Sequence, residues 1–228
     1  MENKPYLIEW SNIKLKREEI KFIYPTIFKV PIIYGTKKQI IFSLLTEKYK
    51  KQKKIKILDI GAGDRFVNKI CLNISSEIEY KSLDKDQSRF HDYYSIDEIT
   101  EKFDIIFVLD VIEHLSLLEG QTLLSKCNYL LNPNGEIILS IPNNSHPTAF
   151  SGDCTHITSY RYYDLGALLL LVGFEKIQIF RVSAKKRLKH RLFAMILKPF
   201  LKFLDIDFAT GILIRAKKLK SEKCFMFY

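Results

Sequence analysis

The sequence predicts an α/β fold built on a mainly parallel sheet. Three observations carry this. Strand and helix patterns alternate from about residue 55 onward, with short connections between them. FDIIFVLD (103–110) is a nearly all-apolar run of strand length, as a parallel strand covered on both faces requires. The first strand pattern, IKILDIG (55–61), ends at a glycine turn, the usual exit of such a strand toward a ligand.

The elements follow in order. Residues 55–61 read as a buried strand, and residues 65–73 as a helix. IEYKSLD (78–84) is the second strand, and a short segment around Arg89–Asp92 is a candidate third. After 103–110, LEGQTLLSKCNYLL (118–131) has apolar residues at helical spacing. It stops at NPNG (132–135), where proline and glycine punctuate a turn. EIILSIP (136–142) is a strand, 161–172 a helix ended by Gly173, and FEKIQIFRV (174–182) a strand. GILIRAK (211–217) is the last strand. Residues 1–35, with prolines at 5, 25 and 31, read as a lead-in or cap. Residues 36–228 form the main domain.

Composition narrows the classes. With 228 residues, 47% apolar and 13% aromatic, the chain has enough apolar side chain for a core, which excludes a largely disordered protein. The four cysteines, Cys71, Cys127, Cys154 and Cys224, are spread singly. Neither a disulfide scaffold nor thiolate zinc spacing is present, and no metal site is expected. No apolar h-region opens the sequence and no run of 18 apolar residues occurs, so a cytoplasmic setting is expected.

The formal charge of +10 is uneven. Residues 183–202 hold seven Lys/Arg and no acid, which leaves 29 basic against 26 acidic residues elsewhere. Six lysines between Lys48 and Lys56 read as a solvated helix end before a strand. In 183–202 the positive charge is interleaved with large apolar side chains. From Arg187 on, Arg187, Arg191, Lys198 and Lys202 fall on one helical side and Leu188, Leu192, Met195, Ile196, Pro199 and Phe203 on the other, while Lys189 breaks the pattern and Pro199 should kink the helix. This reads as a basic amphipathic helical insertion at about 183–206. It packs on the protein's own core or a second subunit, docks peripherally on an anionic membrane face, or meets another anionic partner. Absence of flotation with anionic liposomes at low salt would exclude the membrane option.

The turn after the first strand is Asp59-Ile60-Gly61-Ala62-Gly63-Asp64-Arg65-Phe66. Two glycines let a ligand approach the backbone. A dinucleotide fingerprint needs a third glycine where Phe66 stands, and an apolar residue where Asp59 stands. Asp59 suits a ligand with ammonium and sulfonium groups better than a pyrophosphate. Asp84, at the end of the next strand and 25 residues after Asp59, can accept both hydroxyls of a ribose. Asp92 is either an adenine contact or a loop cap.

ILDIGAGD (57–64) followed by SLD (82–84) resembles the first two motifs of class I S-adenosylmethionine-dependent methyltransferases. The likeness continues through FDIIFVLDVIEHL (103–115), LLNPNGEIILSIPN (130–143) and LGALLLLVGFEKIQIF (165–180). It implies a Rossmann-like seven-stranded, mostly parallel sheet in the order 3-2-1-4-5-7-6, with helices on both faces. It implies S-adenosyl-L-methionine as cofactor, with Asp59, Gly61, Ala62 and Gly63 along its methionine part, Asp84 on the ribose, and Asp92, Leu83 and Lys85 around the adenine. Asp110 and Val111 would border the sulfonium and the acceptor. Arg65 departs from the pattern, standing where a third glycine is common.

Asp110-Val111-Ile112-Glu113 lacks the proline and aromatic of base-amine methylating enzymes, and no cysteine follows a proline. Nucleic acid is therefore disfavoured as the acceptor. DVIEHL resembles the small-molecule branch, so the acceptor expected is an O or N atom of a small or lipid-linked molecule, a saccharide among the options. A non-catalytic scaffold of the same fold is the alternative. An in-line methyl transfer to a hydroxyl needs a group that takes up the proton, and histidine suits it. His156, in GDCTHITSY (152–160), is the candidate base or substrate-positioning residue, with Asp153 orienting it. His114 is the second candidate. Loop-tying roles are the alternatives for both histidines. Tyr160 and Tyr162 line an entrance or simply pack.

Overall fold

The computed structural model describes residues 9–184, 197 and 199–218. Twelve elements matter here: α1 (Trp10–Ile23), β1 (Ile32–Tyr34), α2 (Lys37–Lys51), β2 (Lys56–Ile60), α3 (Phe66–Ile74), β3 (Glu79–Leu83), β4 (Phe103–Leu109), α4 (Leu117–Leu130), β5 (Leu131–Pro142), α5 (Tyr162–Leu171), β6 (Phe174–Ser183) and β7 (Gly211–Lys218).

The strands form one seven-stranded sheet in the order β1-β6-β7-β5-β4-β2-β3. All pairs are parallel except β7, which is antiparallel to both β5 and β6. Helices cover both faces, so the Rossmann-like architecture expected from the sequence is found. From β3 across to β6, the strands follow the expected order, with β3 and β2 in the second and first places. The edges differ in detail. The segment near Arg89–Asp92 contributes a single bridge, Leu83 to Tyr93, rather than a strand. The reason is local: Asp92 Oδ2 accepts from Ser82 N at 2.9 Å and Ser82 Oγ at 2.8 Å, so a carboxylate occupies a place the strand backbone would take. At the opposite edge, β1 pairs with β6 through Ile32, Ile33 and Tyr34 and supplies a strand from the region read as lead-in.

Alternation along the strands sends side chains to two apolar clusters. Leu58, Ile60, Ile106 and Val108 pack toward α1, α4 and α5, whereas Ile57, Ile105 and Phe107 pack toward α2 and α3. β4 faces both ways because it lies between β2 and β5, which is why its sequence is apolar almost throughout. α1 is held on α5 where Gly166 admits Ile20: a Cβ there would stand 3.0 Å from Ile20 Cγ1. Tyr162 Oη donates to Tyr24 O at 2.7 Å across the same contact.

Capping boxes fix the starts of α2, through Thr36 with Gln39, and of α4, through Ser116 with Glu119. The NPNG segment lies within β5 as an irregularity. Phe103 opposes Leu131 while Ile105 opposes Glu136, so the longer strand bulges there, with Asn134 at φ 63. The basic insertion expected at 183–206 lies largely outside the described residues. Of it, 197 and 199–203 are helical. Among the described residues, no helix is long and apolar enough to cross a membrane.

Candidate functional site

β2 ends at Ile60 and the chain turns through Gly61 (φ +69) and Gly63 (φ +47) into α3. The N–H groups of Gly61 and Ala62 both donate to Leu83 O, at 2.9 and 3.1 Å, which ties the loop to the end of β3. The two glycines serve different ends. A Cβ on Gly61 would stand 2.3 Å from Val111 Cγ2, whereas a Cβ on Gly63 would meet nothing within 4 Å. Gly61 closes the loop onto the chain after β4, and Gly63 leaves open space above it.

Asp84 stands beside that space. Its Oδ2 accepts from Gly63 N at 2.8 Å and its Oδ1 from Asp86 N at 3.0 Å. Asp59 lies beneath the loop, 2% exposed, accepting from Tyr80 Oη at 2.8 Å. Burial pushes its carboxyl up to about 7, against the opposing hydrogen bond from Tyr80. Arg65, the residue that departs from the family pattern, turns its guanidinium onto the Tyr80 and Phe90 rings, 5.5 Å from each centroid. Its backbone is left-handed, at φ 55. Asp92 is turned to Ser82 and Lys81, so its carboxylate braces the β3 edge. Leu83 is buried and Lys85 is exposed. The structure thus brings Asp59, Gly61, Ala62, Gly63 and Asp84 around one loop and puts Asp92 to one side.

Past β4, Asp110 adopts φ 54. Its N–H donates to Ser140 O at 3.0 Å and its Oδ1 accepts from Ser140 Oγ at 2.6 Å. Its other oxygen pairs with Lys37, at the start of α2. Lys37's pKa is lowered, chiefly by burial, with Glu113 opposing that shift. A 3₁₀ turn follows, Ile112–His114. The loop after β5 is pinned to it: Ile157 N and Thr158 N donate to Glu113 O at 2.7 and 3.0 Å. A cavity of about 670 Å³ lies between these segments, with Lys37, Asp110, Glu113, His114, Asp153 and His156 among its lining. Its lining residue Asp110 immediately precedes Val111, the residue against which Gly61 closes.

The sequence-predicted histidines converge there. The His114 and His156 rings are 4.8 Å apart between centroids. Asp153 Oδ2 is 4.0 Å from His156 Nε2, while Asp153 Oδ1 accepts from Thr155 N and Oγ1 at 2.9 and 2.7 Å. Those hydrogen bonds lower the Asp153 carboxyl. Tyr160 and Tyr162 are buried, and Tyr162 packs at the α1–α5 contact rather than at the entrance. Two functional candidates were not recognised in the sequence. Glu113 is 1% exposed and its pKa is raised, first by burial. Lys37 belongs to the cavity through α2, more than seventy residues before its partner Asp110. The Glu-His pair within DVIEHL was a signal for the first; nothing local marks the second.

No protein-family model matches the sequence, and no curated protein does. Solved structures match the fold. An S-adenosylmethionine-dependent methyltransferase from Archaeoglobus fulgidus is similar at a TM-score of 0.61 and 17% identity, over 78% of this chain and 94% of that one. Phosphoethanolamine N-methyltransferase 2 of Haemonchus contortus, in complex with S-adenosyl-L-methionine, matches at 0.55 and 14% identity, over 89% and 56% of the two chains. The CurJ carbon methyltransferase matches at 0.54 and 15%, over 80% and 54%. The chain spans just over half the length of the latter two. At these identities the likeness establishes the Rossmann-like methyltransferase fold.

Proposed function

We propose that the protein is an S-adenosylmethionine-dependent methyltransferase. The observation that carries this is the open space over left-handed Gly63, flanked by Asp84, on a loop whose Gly61 closes onto Val111, next in the chain to the cavity-lining Asp110. Asp84 would accept the ribose hydroxyls, and Asp59 would face the ammonium of the methionine part. The adenine contact falls to the β3 edge, where Leu83, Lys85 and Asp92 lie. Methyl donor and acceptor would then meet across Asp110 and Val111.

The acceptor is read as an O or N atom of a small or lipid-linked molecule. A cavity of about 670 Å³ suits a molecule of that size, and the site lacks the proline and aromatic that base-amine methylation uses. Solved neighbours include nitrogen and carbon methyltransferases by description, so the fold alone does not select the acceptor atom. For a hydroxyl acceptor, the oxygen lone pair forms the new O–C bond as the C–S bond breaks. S-adenosylhomocysteine leaves, and the hydroxyl proton passes to a nearby base. His156 is the base or positioning residue in this reading: its side chain lines the cavity beside Asp153.

Calorimetric titration with S-adenosylmethionine, paired with a labelled-methyl screen of lipid, glycan and metabolite extracts, tests both parts. One cofactor per chain is expected. His156→Ala is expected to bind it as the wild type does while losing about 10²-fold or more in turnover. No cofactor binding at millimolar concentration would leave the non-catalytic scaffold as the better reading. Normal turnover in His156→Ala would remove the histidine from the chemistry.

A further inference from the structure

We propose that Glu113, His114 and His156 together bind a divalent first-row transition cation on the acceptor side of the cavity. One ligand atom from each of the three residues lies within 4.8 Å of the others. An ion with ligands at about 2.1 Å separates them by roughly 3.4 Å in a tetrahedral site. Modest side-chain rotation closes the difference.

Glu113 carries the inference furthest. It is 1% exposed, and neither carboxylate oxygen has a hydrogen-bond partner. A buried carboxylate without partners needs a counter-charge or a proton. The nearby cation, Lys37, is ion-paired to Asp110 instead. The carboxylate also shares its space with two imidazoles whose orientation is set from behind. His156 Nδ1 lies 2.7 Å from Phe150 O, and His114 Nδ1 lies 3.2 Å from Thr155 O. A carbonyl oxygen only accepts, so each Nδ1 is placed to donate there, with Thr155 Oγ1 also 3.0 Å from His114 Nδ1, and Nε2 is the nitrogen left for an ion. Donation of the other ring N–H to a carbonyl is how metal-ligating histidines are usually held.

Two imidazoles and one carboxylate suit Zn²⁺, Mn²⁺ or Co²⁺ better than the all-oxygen preference of Ca²⁺ or Mg²⁺. Three protein ligands leave coordination positions open toward the cavity, with Asp153 at their rim. An acceptor hydroxyl would fill one. The cation would then hold the oxygen facing the methyl donor and ease loss of its proton to solvent. His156 would act by positioning that oxygen through the ion. This extension to the acceptor rests on the methyltransferase reading; the binding of the cation does not.

The test uses the full chain, freed of metal with a chelator and titrated with Co²⁺, whose visible absorption reports nitrogen ligation. Metal analysis after dialysis against Zn²⁺ or Mn²⁺ supplies the stoichiometry. One equivalent is expected for the wild type. His114→Ala, His156→Ala and Glu113→Gln are each expected to weaken binding by about 100-fold or more, the upper end of what loss of a supporting partner alone does. Glu113→Gln keeps the side-chain shape and removes the unpaired charge, and circular dichroism checks the fold of every variant. Absence of a stoichiometric Co²⁺ site in the wild type, or equal binding by the folded variants, would overturn the proposal. S-adenosylmethionine titration of the same samples reads the other question separately: cofactor binding without Co²⁺ binding sinks only the metal site, and the reverse sinks only the methyltransferase.

Discussion

Gly61→Ala is expected to cost the protein about 2–4 kcal/mol of stability, the sum of a left-handed backbone for alanine and an overpacked contact. At φ +69 the alanine Cβ would also stand 2.3 Å from Val111 Cγ2, so one segment has to move. The loop is bound to Leu83 O through two N–H groups, and Val111 leads straight into the turn that carries Glu113 and His114. Movement on either side therefore shifts the glycine loop against the segment that lines the cavity. Urea unfolding should show the loss, and S-adenosylmethionine titration should show affinity reduced by about 30-fold or more. Val111→Ala in the same chain should recover the contact part, about 1–2 kcal/mol by a double-mutant cycle, and leave the backbone part. Gly63→Ala is the contrasting case. Its Cβ meets no protein atom within 4 Å, so at φ +47 it should cost only the backbone part, about 1–2 kcal/mol, while filling the space proposed for the ligand. Unchanged urea midpoints for Gly61→Ala would contradict this account of the loop.

Asp59→Asn is expected to do the opposite to stability while harming function. Asp59 is 2% exposed and its carboxyl is pushed up from 3.8 to about 7, mainly by burial. Between those two pH values the folded state holds a proton that the unfolded state has released. Stability therefore falls as pH rises through that window, and the full cost is present above about 7. A shift of about three pH units corresponds to roughly 4 kcal/mol. Asparagine keeps an acceptor for Tyr80 and carries no charge. At pH 8 the variant should be more stable than the wild type by on the order of 3 kcal/mol, whereas below pH 4 the two should coincide. The same change removes the negative charge proposed to face the cofactor's ammonium, so affinity should fall. Binding of the cofactor to the wild type near pH 7 should release a proton, seen as a dependence of the apparent enthalpy on the buffer's ionisation heat. A variant no more stable at pH 8 than the wild type would show that Asp59 is already paid for by neighbours such as Arg65.

Much of this site was legible before the fold. Glycine turns and their flanking acids are local features: Asp59, Gly61, Ala62 and Gly63 sit in one stretch, and Asp84 follows at the next strand end. A parallel sheet requires consecutive strands to end on the same edge, so reading two strand ends was enough to bring these residues together. The histidine loop was legible as a candidate for the same reason, since it too follows a strand. Asp92 was less legible because its role depended on whether a third strand formed. Its own side chain takes the Ser82 N–H and hydroxyl as donors, a competition that no periodicity displays.

The sequence by itself determined the α/β class, the alternation of its elements, and the loop at the end of β2, because each depends on side-chain period or turn chemistry within a few residues. The tertiary structure alone decided what stands across from what. β1 is three residues long, too short for a pattern, and exists as a strand because the edge of β6 receives it. Lys37 reaches Asp110 only because the capped start of α2 lies over the end of β4. Glu113 meets His156 because the loop after β5 is hydrogen-bonded to the 3₁₀ turn. Such contacts depend on strand order and loop closure between distant segments, and the free energy that selects them is that of the whole packed sheet.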